Sequence, residues 1–269
     1  MKRRDVTSRE YKVMLRPDRF PGAEQEARPQ VDRFWTDVSR LLQPLDIPTS
    51  GAFEQVKARR RIRFFDTVDH SLNGRRYVFR ERIDIDTDER EVTLKFRHPD
   101  RYVAQDRNME CGAEGDTKTK FEEDVKPPFV SVFSYSTTVT VEAAHAVAAV
   151  EHVAELFPGL RDELDGVPED AGLSVVRDFT ARELVLTGAT LLLGKRDIEA
   201  ECAMVIWHDD DDPATPPVVA EFSFKYGDDE EDYRGSVARD AHDVLRAIHA
   251  DLGDWVHPEP STKTMFVYG

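Results

Sequence analysis

The sequence has few cysteines, no long apolar run and no excess of positive charge. Cys111 and Cys202 are the two cysteines among 269 residues, too few for a disulfide framework and without the CxxC spacing of a zinc site. No window approaches the roughly 18 consecutive apolar residues of a membrane span. The net charge of −16 disfavours binding to the nucleic-acid backbone, which needs a dominant positive field. These absences predict a cytoplasmic protein with no nucleic-acid or membrane partner.

Positive charge is nevertheless concentrated in one part of the chain. Residues 57–101 hold thirteen Lys and Arg against nine Asp and Glu. Charged residues occupy alternate positions there and in other short segments, at 9–12, 59–65, 79–82, 91–97, 120–124 and 221–225. Successive side chains of a strand point to opposite faces, so each segment directs its charges to one side of a sheet. Six such segments favour a shared surface for a polyanionic ligand, either facing water or lining a barrel.

Hydrophobic periodicity separates strands from helices. Apolar residues spaced three and four apart predict helices at about 24–43, 140–165 and 236–252. The remaining periodic runs are strand-like, about eight in number, and their connections are too irregular for βαβ repeats. We therefore predict a single domain over residues 1–269, built on an antiparallel sheet or barrel.

Seven short motifs follow one another along nearly the whole chain. They are EYK at 10–12, FFDT at 64–67, FRER at 79–82, TLK at 93–95, KFEED at 120–124, EFSFK at 221–225 and STK at 261–263. In this order they resemble the CYTH family, also called triphosphate tunnel metalloenzymes. The resemblance implies an α+β fold in which an eight-stranded antiparallel β-barrel forms a tunnel, with inserted and C-terminal helices packed outside.

The resemblance also implies a site inside the tunnel for a triphosphate-containing small molecule and for Mg²⁺ or Mn²⁺. Arginine binds phosphate through bidentate hydrogen bonds and lysine as a point charge, while carboxylates hold a metal whose bound water can attack phosphorus. The expected phosphate-binding residues are Lys12, Arg61, Arg63, Arg80, Arg82, Lys95, Lys120, Arg182, Lys225 and Lys263. The expected catalytic residues are Glu10 and Glu221, and the expected metal ligands are Glu10, Glu122 and Glu221.

The metal-binding part of this pattern is incomplete. Ser8 stands where the family has the first Glu of Glu-x-Glu-x-Lys, and Ser223 and Lys225 interrupt the late Glu-x-Glu strand. Losing two hard oxygen ligands weakens divalent-metal binding, above all for an ion that activates water. The expected function is a metal-dependent phosphohydrolase acting on inorganic or organic triphosphates.

Two alternatives belong to the same family resemblance. One is a polyphosphate- or nucleotide-binding module with little or no turnover, and the other is an adenylyl cyclase. A lipocalin-like barrel for an apolar ligand is a further possibility, which inward-pointing Arg80, Arg82 and Lys95 would argue against.

Overall fold

A computed structural model describes residues 4–113, 115–196, 198–212, 216–259 and 261–269. The strands of this part are β1 Ser8–Leu15, β2 Thr49–Asp66, β3 Tyr77–Asp84, β4 Arg90–His98, β5 Thr117–Lys126, β6 Val130–Val141, β7 Ser174–Leu193, β8 Ile198–Asp209 and β9 Val219–Gly227. The α-helices are α1 Glu24–Leu42, α2 Ser71–Gly74, α3 Arg101–Gln105, α4 Val150–Leu156, α5 Gly235–Asp251 and α6 Lys263–Tyr268. Short 3₁₀ helices lie at Pro17–Arg19, Gln43–Leu45 and Pro158–Glu163.

The strands of the described residues close into a ring. Their order is β1-β5-β6-β4-β3-β2-β7-β8-β9, and β9 pairs with β1 to complete the circuit. The predicted α+β fold, a tunnel-like closed sheet with helices outside, is confirmed. Two details differ from the prediction, because the ring includes a ninth strand, β6, and because β1 and β5 run parallel. The sequence of β6 carries no charged residue, so charge alternation did not reveal it.

One outer wall of the ring is covered by the two long helices. Tyr11, Val13 and Leu15 of β1 lie in one buried apolar cluster with residues of α1 and α5. The ring of Phe34 on α1 meets that of Phe222 on β9 edge-on, with 5.3 Å between the ring centres. Periodic apolar residues therefore make helices here because the outer face of the sheet offers them a surface to cover.

A second apolar cluster covers the outer faces of β3, β4, β5 and β6. It joins Phe79, Leu94 and Phe121 to residues of α3 and α4. The segment predicted to be helical over 140–165 contains α4 and a 3₁₀ helix, and its first residues end β6. No helix of the described residues is both long enough and apolar enough to cross a membrane.

A third apolar cluster lies on the inner face of the ring. It includes Ile62 and Phe64 of β2, Trp207 of β8 and Val267 of α6. These side chains fill part of the interior along β2, β7 and β8, and α6 closes over them. Polar side chains occupy the rest of the interior.

Candidate functional site

Alternation along the strands shows which charged residues face the interior. On β1 the side chains of Tyr11 and Val13 pack under the helices, so those of Glu10 and Lys12 point inward. Residues paired across neighbouring strands share a face, and Glu10 is paired with Asp124 of β5 and with Lys225 of β9. The same reasoning places further charged residues on the inner face, including Arg60, Arg80, Arg82, Lys95, Arg97, Lys120, Glu122, Glu183 and Glu221.

Oppositely charged groups are paired along β1, β5 and β9. The Nζ atom of Lys12 lies 2.9 Å from Oε2 of Glu10 and 2.7 Å from Oδ1 of Asp124. Lys263, at the start of α6, places its Nζ atom 2.6 Å from Oε1 of Glu221. We call these five residues the paired wall.

Glu10, Lys12 and Asp124 of the paired wall remain ionised despite their burial. Burial alone would raise the pKa of Asp124, but Lys12, Lys95 and Arg97 outweigh it and the pKa is lowered. Burial likewise opposes ionisation of Glu10, and Lys12 turns the net shift of its pKa downward. The pKa of Lys12 is raised, because Asp124 and Glu10 more than offset the effect of burial. Charges of both signs therefore persist at neutral pH.

Arg80 and Arg82 of β3 form a different kind of wall, which we call the arginine wall. Their Nε atoms are buried and have no hydrogen-bond partner among the described residues. Burial lowers the pKa of Arg80, and the neighbouring charge of Arg82 lowers it further. Burial also lowers the pKa of Arg82, although Glu183 partly counteracts this. Guanidinium groups stay protonated at neutral pH nonetheless, so the arginine wall holds buried positive charge that lacks part of its hydrogen bonding.

Lys95 and Arg97 of β4 connect the two walls. Lys95 Nζ lies 3.7 Å and Arg97 Nε 3.9 Å from Oδ2 of Asp124. Burial lowers the pKa of Lys95 to about 8, with Asp124 opposing the shift and Arg97 and Lys12 adding to it. A bound anion beside Lys95 would therefore favour its protonated form.

Glu183 limits the polar interior on the side of β7. Its Oε2 atom accepts a 2.9 Å hydrogen bond from Nε1 of Trp207, and its Oε1 atom lies 3.8 Å from Nη1 of Arg60. Burial would raise the pKa of Glu183, but Arg82, Lys263 and Arg60 lower it. This carboxylate is the main counter-charge on the side of the arginine wall.

Two cavities lie beside the basic side chains of the interior. An inner one of about 40 Å³ is lined by Arg80, Lys95, Glu183 and Trp207, among others. A larger one of about 260 Å³ lies at the mouth of the ring. Its lining includes Lys12, Arg76, Asp124, Glu221 and Met265. Both cavities are also lined by Val78, Arg97, Lys263 and Thr264. The basic groups thus extend from the mouth toward the inner cavity.

Most of the predicted phosphate-binding residues lie at the interior. Those on the inner face or at its mouth are Lys12, Arg80, Arg82, Lys95, Lys120, Lys225 and Lys263. Their role in ligand binding stays a prediction, but their convergence is a property of the structure. Lys225 alternates with the outward Phe224 and is paired with Glu10.

The predicted inward orientation of Arg61, Arg63 and Arg182 is wrong. Nε of Arg61 and Nη1 of Arg182 lie 2.9 and 3.6 Å from the carboxylate of Asp210, and Arg63 pairs at 2.6 Å with Glu81. These contacts lie on the outer face, because β2 turns Ile62 and Phe64 inward. On β2 the inward arginine is instead Arg60.

The charged interior residues that the sequence analysis did not predict include Arg60, Arg97, Asp124 and Glu183. Asp124 stands two residues after Glu122, and Arg97 stands two residues after Lys95. Continuing the alternation by one step would have found both. For Glu183 no local signal exists, since its neighbours in the interior come from other strands.

The predicted metal ligands Glu10, Glu122 and Glu221 are not brought together. Glu10 and Glu221 belong to the paired wall, while Glu122 accepts a 2.7 Å hydrogen bond from Ser8 Oγ and lies 3.4 Å from Lys120 Nζ. Across the described ranges, no three His, Cys, Asp or Glu side chains are placed to hold a metal ion. This donor set therefore does not fit a divalent cation.

Comparison with known proteins gives distant structural likenesses. No model of a protein family matches the chain, and no curated protein matches it. A candidate adenylyl cyclase from Hippeastrum with a dominant triphosphatase activity is 11% identical, with a TM-score of 0.48 over 97% of this chain and 95% of that one. A candidate adenylate cyclase from Bacillus halodurans is 13% identical, with a TM-score of 0.45 over 97% and 96% of the two chains. At such values these likenesses carry no argument about activity.

Proposed function

We propose that the interior of the ring binds a triphosphate-containing small molecule. The observation that carries the proposal is the arginine wall, whose two buried Nε atoms have no partner among the described residues. Buried polar groups are normally hydrogen-bonded, and a phosphate oxygen is a matching acceptor for guanidinium. An anion bound beside Arg80 and Arg82 would supply the missing hydrogen bonds and offset the repulsion between the two charges.

The spacing of the basic groups favours a polyvalent anion over a single phosphate. Lys95 and Arg97 stand beside the arginine wall on β4, and Lys12 and Lys263 line the mouth. A linear chain of phosphates would contact several of these groups at once, each contributing a charge-assisted interaction. A single phosphate would reach only one end of the row.

Hydrolysis of the bound triphosphate is a second candidate function. It is expected from the family resemblance, as is cyclisation of a nucleotide, and both need a group that activates an attacking oxygen. Asp124 and Glu221 line the cavity at the mouth, Glu10 shares Lys12 with Asp124, and each of the three carboxylates is engaged by a lysine. The geometry thus supports binding more directly than turnover. Phosphate release and cyclic nucleotide formation, measured over a panel of triphosphates, test both activities.

A series of phosphates tests the proposed function directly. We expect tripolyphosphate to raise the melting temperature and to bind by calorimetry more tightly than pyrophosphate, with orthophosphate weakest. Each additional charge-assisted contact contributes about 1.5–3 kcal/mol, or roughly tenfold or more in Kd. ATP and thiamine triphosphate then test which organic groups the mouth accepts. Absence of binding by every triphosphate, or equal binding of orthophosphate and tripolyphosphate, would contradict the proposal.

A further inference from the structure

The carboxylates of the interior converge on ammonium groups of the same chain. Glu10 and Asp124 are paired positions on the parallel strands β1 and β5, so their side chains approach each other across the strand boundary. Lys12, two residues after Glu10, turns to the same face and places Nζ within 3 Å of both carboxylates. Lysine thus bridges two acidic residues at the place where a cation would be attracted.

The arrangement recurs elsewhere in the interior. Glu221 is held by Lys263, and Glu122 is held by the Ser8 hydroxyl and lies beside Lys120. Lys225 is the inward residue paired with Glu10 on β9. Mg²⁺ demands near-octahedral coordination by oxygen and gives up its bound water reluctantly. Each of these carboxylates already faces a positive or hydrogen-bonding side chain, so none is free to coordinate such an ion.

We infer that the ring takes its triphosphate ligand as the free polyanion, without a divalent cation, and that Lys12 takes the place that a cation would have between Glu10 and Asp124. The inference rests on the proposed function and adds that the triphosphate is bound without a metal ion. Positive charge on one side comes from the arginine wall, and on the other from the lysines of the paired wall. An ammonium group neutralises phosphate as a point charge, but it does not make a bound water acidic as a metal ion does.

The effect of Mg²⁺ on the apparent affinity for tripolyphosphate tests this inference. Mg²⁺ forms complexes with tripolyphosphate and lowers the concentration of the free polyanion. If the ring binds the free polyanion, adding Mg²⁺ weakens the apparent affinity. If the ring needs a metal-bridged ligand, removing Mg²⁺ with a chelator abolishes binding. The two cases move the measured Kd in opposite directions.

The experiment is calorimetry of tripolyphosphate binding by the intact chain, in EDTA and in excess Mg²⁺. We expect tripolyphosphate to bind more tightly in EDTA than in excess Mg²⁺. Binding that is as tight or tighter in Mg²⁺, or that appears only with Mg²⁺, would overturn the inference and leave the proposed function standing. Absence of binding under both conditions would overturn the proposed function itself.

Lys12→Met tests the assignment of Lys12 separately. The variant removes the ammonium group that bridges Glu10 and Asp124, so we expect it to gain a Mn²⁺ site visible as loss of the free-ion signal in electron paramagnetic resonance. Lys120→Met is the matched control, since Lys120 contacts the single carboxylate Glu122 and its loss should create no such site. Mn²⁺ binding by the unaltered chain, or a folded Lys12→Met variant that gains none, would overturn the assignment. If Lys12→Met does not fold, the comparison in EDTA and Mg²⁺ still decides the inference.

Discussion

The arginine wall and the paired wall face the same interior with opposite electrostatic arrangements. Along the paired wall each carboxylate has a lysine within 3 Å. Along the arginine wall two guanidinium groups stand side by side, and their buried Nε atoms have no hydrogen-bond partner in the part of the chain that the structure describes. One wall is electrostatically complete without a ligand, and the other is not.

This difference separates stability from binding within one cavity. Paired charges offset much of their desolvation by mutual attraction, and removing one partner is destabilising. Unpartnered buried charge instead costs stability until a ligand supplies hydrogen bonds. The arginine wall should therefore matter for affinity, and the carboxylates of the paired wall for folding.

Arg80→Met should cause the largest loss of binding. We expect the affinity for tripolyphosphate to fall by about 100-fold, because hydrogen bonds to charged groups contribute about 1.5–3 kcal/mol each and tenfold corresponds to 1.4 kcal/mol. The ligand-free variant should be as stable as the parent or more stable, since repulsion with Arg82 is removed. Calorimetry and urea unfolding measure the two effects.

Arg61→Met is the matched control for Arg80→Met. Arg61 lies on the outer face, where it contacts Asp210, and its removal should leave the affinity within about threefold of the parent. Equal losses in the two variants would mean that net charge rather than the arginine wall governs binding.

Asp124→Asn should have the opposite effects to Arg80→Met: it should lower stability and leave binding intact. Asp124 pairs with Lys12 and neighbours Lys95 and Arg97, so its neutralisation leaves several positive charges in close proximity. We expect a loss of about 2 kcal/mol in the free energy of unfolding, below the 3–5 kcal/mol typical of a fully buried pair because the site is partly open. Tripolyphosphate should bind as tightly as before or more tightly, since the interior becomes more positive.

The control on the outer face is Asp210→Asn. It removes a partner of Arg61 and Arg182 at the surface, where ion pairs contribute up to about 1 kcal/mol. A variant of a paired-wall carboxylate that lost affinity while keeping its stability would contradict this division of roles.

Local alternation predicted much of this arrangement but could not fix the phase of every strand. On β1 and β9 the alternate residues are aromatic or aliphatic, so the inward set follows at once. On β2 three arginines follow one another at 59–61, and charge is present in both phases. The inward phase there depends on the pairing of Phe64 with Arg80 of β3, a contact between distant segments.

Ion pairs between different strands of the ring also could not be predicted from the sequence. Lys12 meets Asp124 because β1 and β5 lie side by side in parallel, although 112 residues separate the two positions. The substitutions Ser8, Ser223 and Lys225 did indicate a weakened metal site. They could not show that lysines of the chain engage the remaining carboxylates, because that depends on how the ring closes.

Lys95 should give the binding a dependence on pH. Its pKa is lowered from 10.5 to about 8 in the folded protein, and a bound anion should raise it again. Binding then takes up a proton above pH 8, and the affinity should fall by up to about tenfold per pH unit as the pH rises above that value. Lys95→Arg keeps its charge, so calorimetry on this variant reveals the titration of the ligand alone. Identical pH profiles for the two proteins would contradict a role for Lys95.

The same shift predicts an opposite trend for the ligand-free protein. Below pH 8 Lys95 is protonated in both the folded and the unfolded chain, so its contribution to stability does not change there. Between pH 8 and 10.5 the unfolded chain binds more protons than the folded one, and stability should rise with pH through this window. Comparing the urea midpoints of the parent and of Lys95→Arg isolates the contribution of this residue. If the midpoint of the parent rose between pH 8 and 10.5 by no more than that of Lys95→Arg, the lowered pKa would be contradicted.

The fluorescence of Trp207 reports on the interior of the ring, and its change on ligand binding is the smallest effect that we expect. Its indole donates to Glu183, and the Nζ atom of Lys263 lies 5.8 Å from the centre of its ring. A ligand that draws Lys263 toward phosphate should alter this environment and change the fluorescence by a small fraction. Trp35 and Trp255 pack on the outer side with α1, so Trp207→Phe should abolish the change while leaving the calorimetric affinity nearly intact. A change that survives in Trp207→Phe would place the ligand outside the ring, because the remaining tryptophans do not face its interior.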